Sequence, residues 1–208
     1  MKTLVHIKSS PRAEKSRSNT IAQTFIRTYK KNNPADEVIE HDLFALSLPK
    51  MDSSATGAKY AIIKGQNPTE KQAEIWGQVE KVIEAFLAAD KYLLSTPMWN
   101  FSIPYRLKHY IDVITQPGYT FTVSEKGYEG LVKARPICII YSRGGTYLPP
   151  SPAEAMDLQK PYLEMIFKFM GFTEIKSIIC EPTLADNDTV ETAMEQARRQ
   201  AEMIAASY

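Results

Sequence analysis

Three short stretches of this chain carry residue types suited to holding a ligand. The first, S-S-P-R-A-E-K-S-R-S-N from Ser9 to Asn19, brings Ser9, Ser10, Ser16 and Ser18 to the start of a helical pattern. Hydroxyls and free N–H groups at the positive end of a helix suit a phosphate dianion. The stretch contains no glycine, so it matches neither a P-loop nor a G-x-G-x-x-G turn, which argues against ATP and a dinucleotide pyrophosphate. The second stretch, Ser95–Asp112, sets M-W-N-F between Pro97 and Pro104. A pre-set loop of large aromatics with exposed N–H groups suits a flat ligand. The third, Ser142-Arg143-Gly144-Gly145, offers bare backbone, where paired glycines permit positive φ and close approach.

Taken singly, each has a plainer reading. Ser16 or Ser18 caps a helix, Trp99 and Phe101 anchor a core, and S-R-G-G makes a turn. Together they offer a phosphate cradle, a planar platform and backbone donors for a ring edge, and flavin mononucleotide (FMN) has those three parts. No other constellation competes. His6, His41 and His109 are scattered without metal-ligand spacing and read as structural. No nucleophile triad or protein acid/base pair is evident, so no catalytic side chain is expected.

The elements that must position these loops follow from periodicity. Apolar runs at Thr3–Ile7, Lys91–Leu94, Pro136–Tyr141 and Glu174–Cys180, with the partly alternating Glu37–Leu43, read as five strands. Between them fall helical patterns at Asn19–Lys31, Thr69–Ala89, the segment after Pro104 (Pro104 suiting its first turn), Glu154–Met170 and Asp188–Ser207. Tyr119–Gly130 suggests a small hairpin, and residues 44–69 short helices or an excursion into a subunit contact. Strands alternating with helices mean an α/β protein: one domain over residues 1–208 around a five-stranded parallel sheet, order 2-1-3-4-5. In such a sheet the loops after strands one, three and four share the ligand-binding edge.

Composition narrows the partners. With 25 Lys+Arg against 24 Asp+Glu the net charge is +1, which points to no nucleic acid and no anionic membrane surface. The 208 residues contain neither a signal peptide nor an apolar run of membrane-spanning length, so a cytoplasmic location is expected. Cys138 and Cys180 lie in β-branched runs and read as small core hydrophobes.

The motifs P-M-W-N-F-S-I-P-x-x-L-K-x-x-I-D, G-Y-T-F, E-G-L-V and S-R-G-G resemble those of the FMN-dependent NADH:quinone oxidoreductase and azoreductase family. So do the opening K-S-S…S-R-S-N and the later P-Y-L…F-M-G-F-T-E. The similarity runs through the whole chain. It implies a flavodoxin-like three-layer sandwich and a homodimer with FMN sites at the subunit interface. It also implies ping-pong reduction of quinones and of azo or nitro aromatics, with NADH or NADPH as co-substrate. By position, Ser10, Ser16, Arg17 and Ser18 would hold the phosphate, and Met98, Trp99, Asn100 and Phe101 would line the isoalloxazine. Ser142, Arg143, Gly144 and Gly145 would face its pyrimidine edge, with Tyr119 and Phe121 in the substrate pocket. Two positions depart from the family pattern: Trp99 stands where Tyr is commoner, and Val123 where an aromatic is often found.

Two other classes share the expected topology. A flavodoxin-type electron carrier would present a strongly acidic docking face, which a charge of +1 does not suggest. A response-regulator-like domain would want acidic residues after strand one, where this chain has Lys8-Ser9-Ser10.

Overall fold

The structure, a computed structural model, describes residues 1–208. In chain order the strands are β1 (Thr3–Lys8), β2 (Glu37–Asp42), β3 (Lys91–Pro97), β4 (Phe121–Ser124), β5 (Gly127–Gly130), β6 (Ile137–Ser142) and β7 (Ile175–Cys180). The helices are α1 (Arg17–Asn32), α2 (Ser53–Ile63), α3 (Glu70–Leu87), α4 (Tyr105–Ile114), α5 (Lys160–Met170) and α6 (Asn187–Ala206). Five strands form the expected parallel sheet. The order 2-1-3-4-5 counts sheet strands only and needs correcting along the chain. The hairpin β4–β5 is antiparallel and outside that sheet, so the order is β2-β1-β3-β6-β7.

Side-chain alternation along each strand divides the core in two. Val5, Ile7, Tyr92, Leu94, Ile137, Ile139 and Tyr141 face the layer of α3, α4 and α5, meeting Phe86, Leu107, Ile111 and Phe167. Leu4, Leu93, Cys138, Ile140, Ile178 and Cys180 face α1 and α6, meeting Phe25, Tyr29, Ala197 and Ala201. Both cysteines are buried free thiols, and burial pushes Cys138 up to about 12.

Three boundaries differ from the periodicity. Pro104 is the N-cap of α4 rather than a first-turn residue, and Ile103 lies outside the helix. A residue preceding proline is disfavoured in the α region, which explains the later start. The Glu154–Met170 pattern is split into a 3₁₀ turn at Glu154–Met156 and α5 from Lys160. There Asp157 Oδ1 accepts from the N–H groups of Gln159 and Lys160, both at 3.0 Å, and Pro161 occupies the first turn. Within residues 44–69 only one α-helix forms, α2, capped by Asp52. The hairpin packs on α5 so closely that a Cβ on Gly130 would lie 2.2 Å from the Gly171 nitrogen.

Parallel register puts the loops of interest on one edge. Lys8 at the end of β1 is level with Ser95 of β3, Pro97 with Ser142 of β6, and Ser142 with Cys180 of β7. No helix is long and apolar enough to cross a membrane, and no cluster of three His, Cys, Asp or Glu side chains is placed to hold a metal.

Candidate active site

At that edge a cleft of about 270 Å³ opens between the turns following β1, β3, β6 and β7. Of the residues expected from sequence, Ser10, Ser16, Arg17, Met98, Trp99, Ser142 and Gly144 line it. So do Pro11, Arg12, Pro97, Thr183 and Leu184, which sequence reasoning did not single out. Thr183 and Leu184 were legible in principle. They follow the fifth sheet strand at its carboxyl end, where open α/β sheets bind ligands.

The first wall is the entry to α1. Ser16 is the N-cap, its hydroxyl accepting from the Asn19 N–H at 3.3 Å. Arg17 and Ser18 open the helix, and their N–H groups have no intramolecular acceptor. The Ser18 side chain is buried beneath the cleft, its hydroxyl 3.2 Å from that of Ser16. Neither Arg12 nor Arg17 forms a salt bridge. Arg17 lies near the end of β7, where its charge opposes the burial that pushes the Cys180 thiol up to about 11. Two uncommitted guanidinium groups, two hydroxyls and two helix N–H groups make a concentrated anion site.

The floor is the turn after β3. Trp99 and Ser102 exchange both backbone hydrogen bonds, at 3.0 and 2.9 Å, while Asn100 and Phe101 between them take φ of 48° and 67°. That is the two-residue turn with both central residues left-handed, a geometry usually given to Asn-Gly. Here the second position is Phe, held by a bond from the Leu158 N–H to its carbonyl at 3.0 Å. The N–H groups of Asn100 and Phe101 have no intramolecular acceptor. Trp99 leans on Phe44 and Tyr105 and is 36% exposed, whereas Phe101 meets Tyr147 edge-on at 6.4 Å. Asn100 lies on the far side of Trp99, in a second and wider cleft along α4.

The third wall is the turn after β6. Neither Gly144 nor Gly145 has a positive φ, contrary to the reason for expecting glycine there. The missing Cβ of Gly144 instead makes room for Leu184, whose methyl would lie 2.9 Å from it. Both glycine N–H groups lack intramolecular acceptors. Arg143 has a different part from the one expected. Its side chain is fully buried behind the turn, against Asp157 and Glu181, leaving it no reach into the cleft.

Tyr119 and Phe121 do not line this chain's cleft. The Tyr119 hydroxyl bonds to Glu80 at 2.5 Å and accepts from Trp76 at 3.4 Å, and Phe121 packs on Phe169 at 4.8 Å. The histidines have structural partners: His6 meets Ser95, His41 meets Tyr110, and His109 bonds to the Pro49 carbonyl at 2.8 Å.

Comparison with known proteins shows which family the chain belongs to. A family model for the flavodoxin-like fold matches residues 1–204. The FMN-dependent NADH:quinone oxidoreductase of Nitratidesulfovibrio vulgaris strain DP4 is 47% identical over 206 residues, covering 97% of this chain and 99% of the relative. That of Desulfotalea psychrophila is 45% identical over 202 residues, covering 97% and 95%. Among solved structures, the azoreductase of Bacillus anthracis strain Sterne superposes with a TM-score of 0.93 at 28% identity, covering all of both chains.

Proposed function

Because the chain belongs to the flavodoxin-like fold family, we propose that the cleft at the carboxyl edge of its sheet is an FMN site, built by one domain over residues 1–208. The protein is an FMN-dependent oxidoreductase that uses NADH to reduce quinones and azo compounds. One observation carries this reading: unpaired donors gather at a cleft whose two ends differ in charge. The α1 end has two arginines, two hydroxyls and the N–H groups of Arg17 and Ser18. The β6 end has Gly144, whose neutral N–H is unpaired, with the unpaired N–H of Gly145 next along the chain. A phosphate tail and a polar ring edge make those two demands.

FMN, when bound, supplies a ring that accepts hydride and returns electrons to an oxidised acceptor. The chain's own contribution is binding and orientation. Ser10, Ser16, Arg12 and Arg17 hold the phosphate through charge-assisted hydrogen bonds, and Ser18 supports Ser16 from below. Met98 and Trp99 set the ring's floor. The N–H groups of Gly144 and Gly145 are fixed before any ligand arrives, so they stabilise charge on the ring edge without reorganising. Leu184, 85% exposed at the cleft mouth, shields one side from water.

The same reading includes a homodimer. Tyr60, Ile62 and Ile63 leave α2 with a mostly exposed apolar surface, and Trp99 and Tyr105 add aromatic surface at the turn after β3. Apolar surface of that extent suits a second copy of the chain. Nitro aromatics would stack as azo compounds do, NADPH could replace NADH as donor, and the cytoplasm would supply both.

Steady-state NADH oxidation by the purified protein with FMN and a small quinone is the test. Fast turnover without any partner protein is expected. Negligible turnover with tightly bound FMN would make the protein an electron carrier of flavodoxin type, for which the net charge of +1 offers no acidic docking face.

A further inference from the structure

We infer that Ser95 is a positioning residue that clamps both ends of the phosphate loop, and that His6 holds it in place. Ser95 lies in β3 and Asn19 in the first turn of α1, so neither belongs to the loop's exposed wall. The Ser95 carbonyl accepts from the Ser9 N–H and from the Ser9 hydroxyl, each at 3.0 Å, fixing where the loop leaves β1. The Ser95 hydroxyl donates to Asn19 Oδ1 at 2.9 Å, fixing where the loop enters α1.

Asn19 then spreads that tie over the loop. Its backbone N–H donates to Ser16 Oγ at 3.3 Å, and its side-chain Nδ2 donates to the Ala13 carbonyl at 3.4 Å. The loop thus keeps its shape without glycine, even with Ala13 at a φ of 46°.

Since the Ser95 hydroxyl proton goes to Asn19, the hydroxyl's lone pair must accept from His6 Nε2, 2.9 Å away. That direction places the His6 proton on Nε2. The other ring nitrogen, Nδ1, is 3.7 Å from Glu40, beyond hydrogen-bond length. His6 and Ser95 are both 0% exposed, and Asn19 is 6% exposed. They interrupt a face otherwise made of Leu4, Leu93, Cys138 and Ile140. Three buried polar groups in an apolar layer are costly unless fully paired, and packing alone would be served better by aliphatic side chains. Their common product is the orientation of Ser16 and of the first N–H groups of α1.

This inference rests on the reading that the FMN phosphate lies at the α1 end. Riboflavin, which has the same ring and no phosphate, separates the two. Equilibrium titration would compare FMN and riboflavin for wild type, Ser95→Ala, His6→Leu and His6→Gln, with circular dichroism and melting temperature checking each fold.

Wild type should prefer FMN. Ser95→Ala and His6→Leu should each weaken FMN about three- to tenfold, the scale of one lost hydrogen bond, and leave riboflavin unchanged. The double variant should be no worse than either single one, because both break the same chain. His6→Gln, whose amide can still donate to Ser95, should restore most of the FMN affinity. If FMN and riboflavin weaken together, or the ratio does not move, Ser95 is no clamp for the cradle. A wild type without preference for FMN would remove the phosphate reading itself. Should His6→Leu fail to fold, Ser95→Ala decides alone, since it removes only a hydroxyl.

Discussion

The Arg143 guanidinium sits 3.2 Å from the Glu181 carboxylate, the two groups joining the turns after β6 and β7 behind the cleft. Glu181 uses its other oxygen to accept from the N–H groups of Tyr147 and Leu148, at 3.1 and 2.8 Å. Arg143 reaches Gln159 at 3.2 Å and approaches Asp157 at 2.9 Å, outside hydrogen-bond geometry. Its carbonyl accepts from both the N–H and the hydroxyl of Thr183. One buried cation therefore fixes the glycine turn, the Thr183–Leu184 wall and the approach to α5.

Replacing that cation leaves two largely buried carboxylates without a counter-charge. Arg143→Leu should lower unfolding free energy by about 3–5 kcal/mol in urea titration. FMN affinity should fall with it, because the Gly144 and Gly145 N–H groups lose their support. A variant as stable as wild type would show that water or the neighbouring backbone compensates the pair.

Ser16→Asp separates folding from binding. Aspartate is as good an N-cap as serine and adds a favourable charge at the helix start, so the melting temperature should hold or rise. The same charge faces the phosphate, and FMN affinity should drop by at least about tenfold. Undiminished binding by calorimetric titration would place the phosphate elsewhere.

Phe101 at a φ of 67° is a strained residue in a turn that favours glycine. Phe101→Gly should stabilise the ligand-free chain by about 1 kcal/mol in thermal melts. A loss instead would mean that the contact of Phe101 with Tyr147 outweighs the backbone strain.

Stability should fall with acid between neutrality and pH 5. Burial pushes both His6 and His41 below the ordinary histidine value of 6.5, in His6 against the pull of Glu40. The unfolded chain then binds the extra protons. The contribution is whole above about pH 6.5 and is lost as pH falls toward the folded values, by at most about 1.4 kcal/mol per pH unit for each histidine. His41→Gln should flatten the slope between pH 7 and 5, and an unchanged slope would exclude His41 as a contributor.

What the amino-acid order determined by itself was whatever is local. Strand and helix periodicities set the alternating β/α plan, and S-S-P-R…S-R-S-N, P-M-W-N-F and S-R-G-G marked three turns at one sheet edge. Only the tertiary structure decided which atoms of those turns remain available. Arg143 resembled a ring-edge residue because it lies between Ser142 and Gly144, yet its partners Asp157 and Glu181 are distant in sequence and draw it inward. Tyr119 likewise turns toward Glu80, 39 residues away. Thr183 and Leu184 enter the cleft through hydrogen bonds to the Arg143 and Gly144 carbonyls, and Ser95 joins both ends of a loop some 80 residues before it. A side chain's direction depends on partners brought together only by the crossovers between parallel strands, and no short window of sequence contains both members of such a pair.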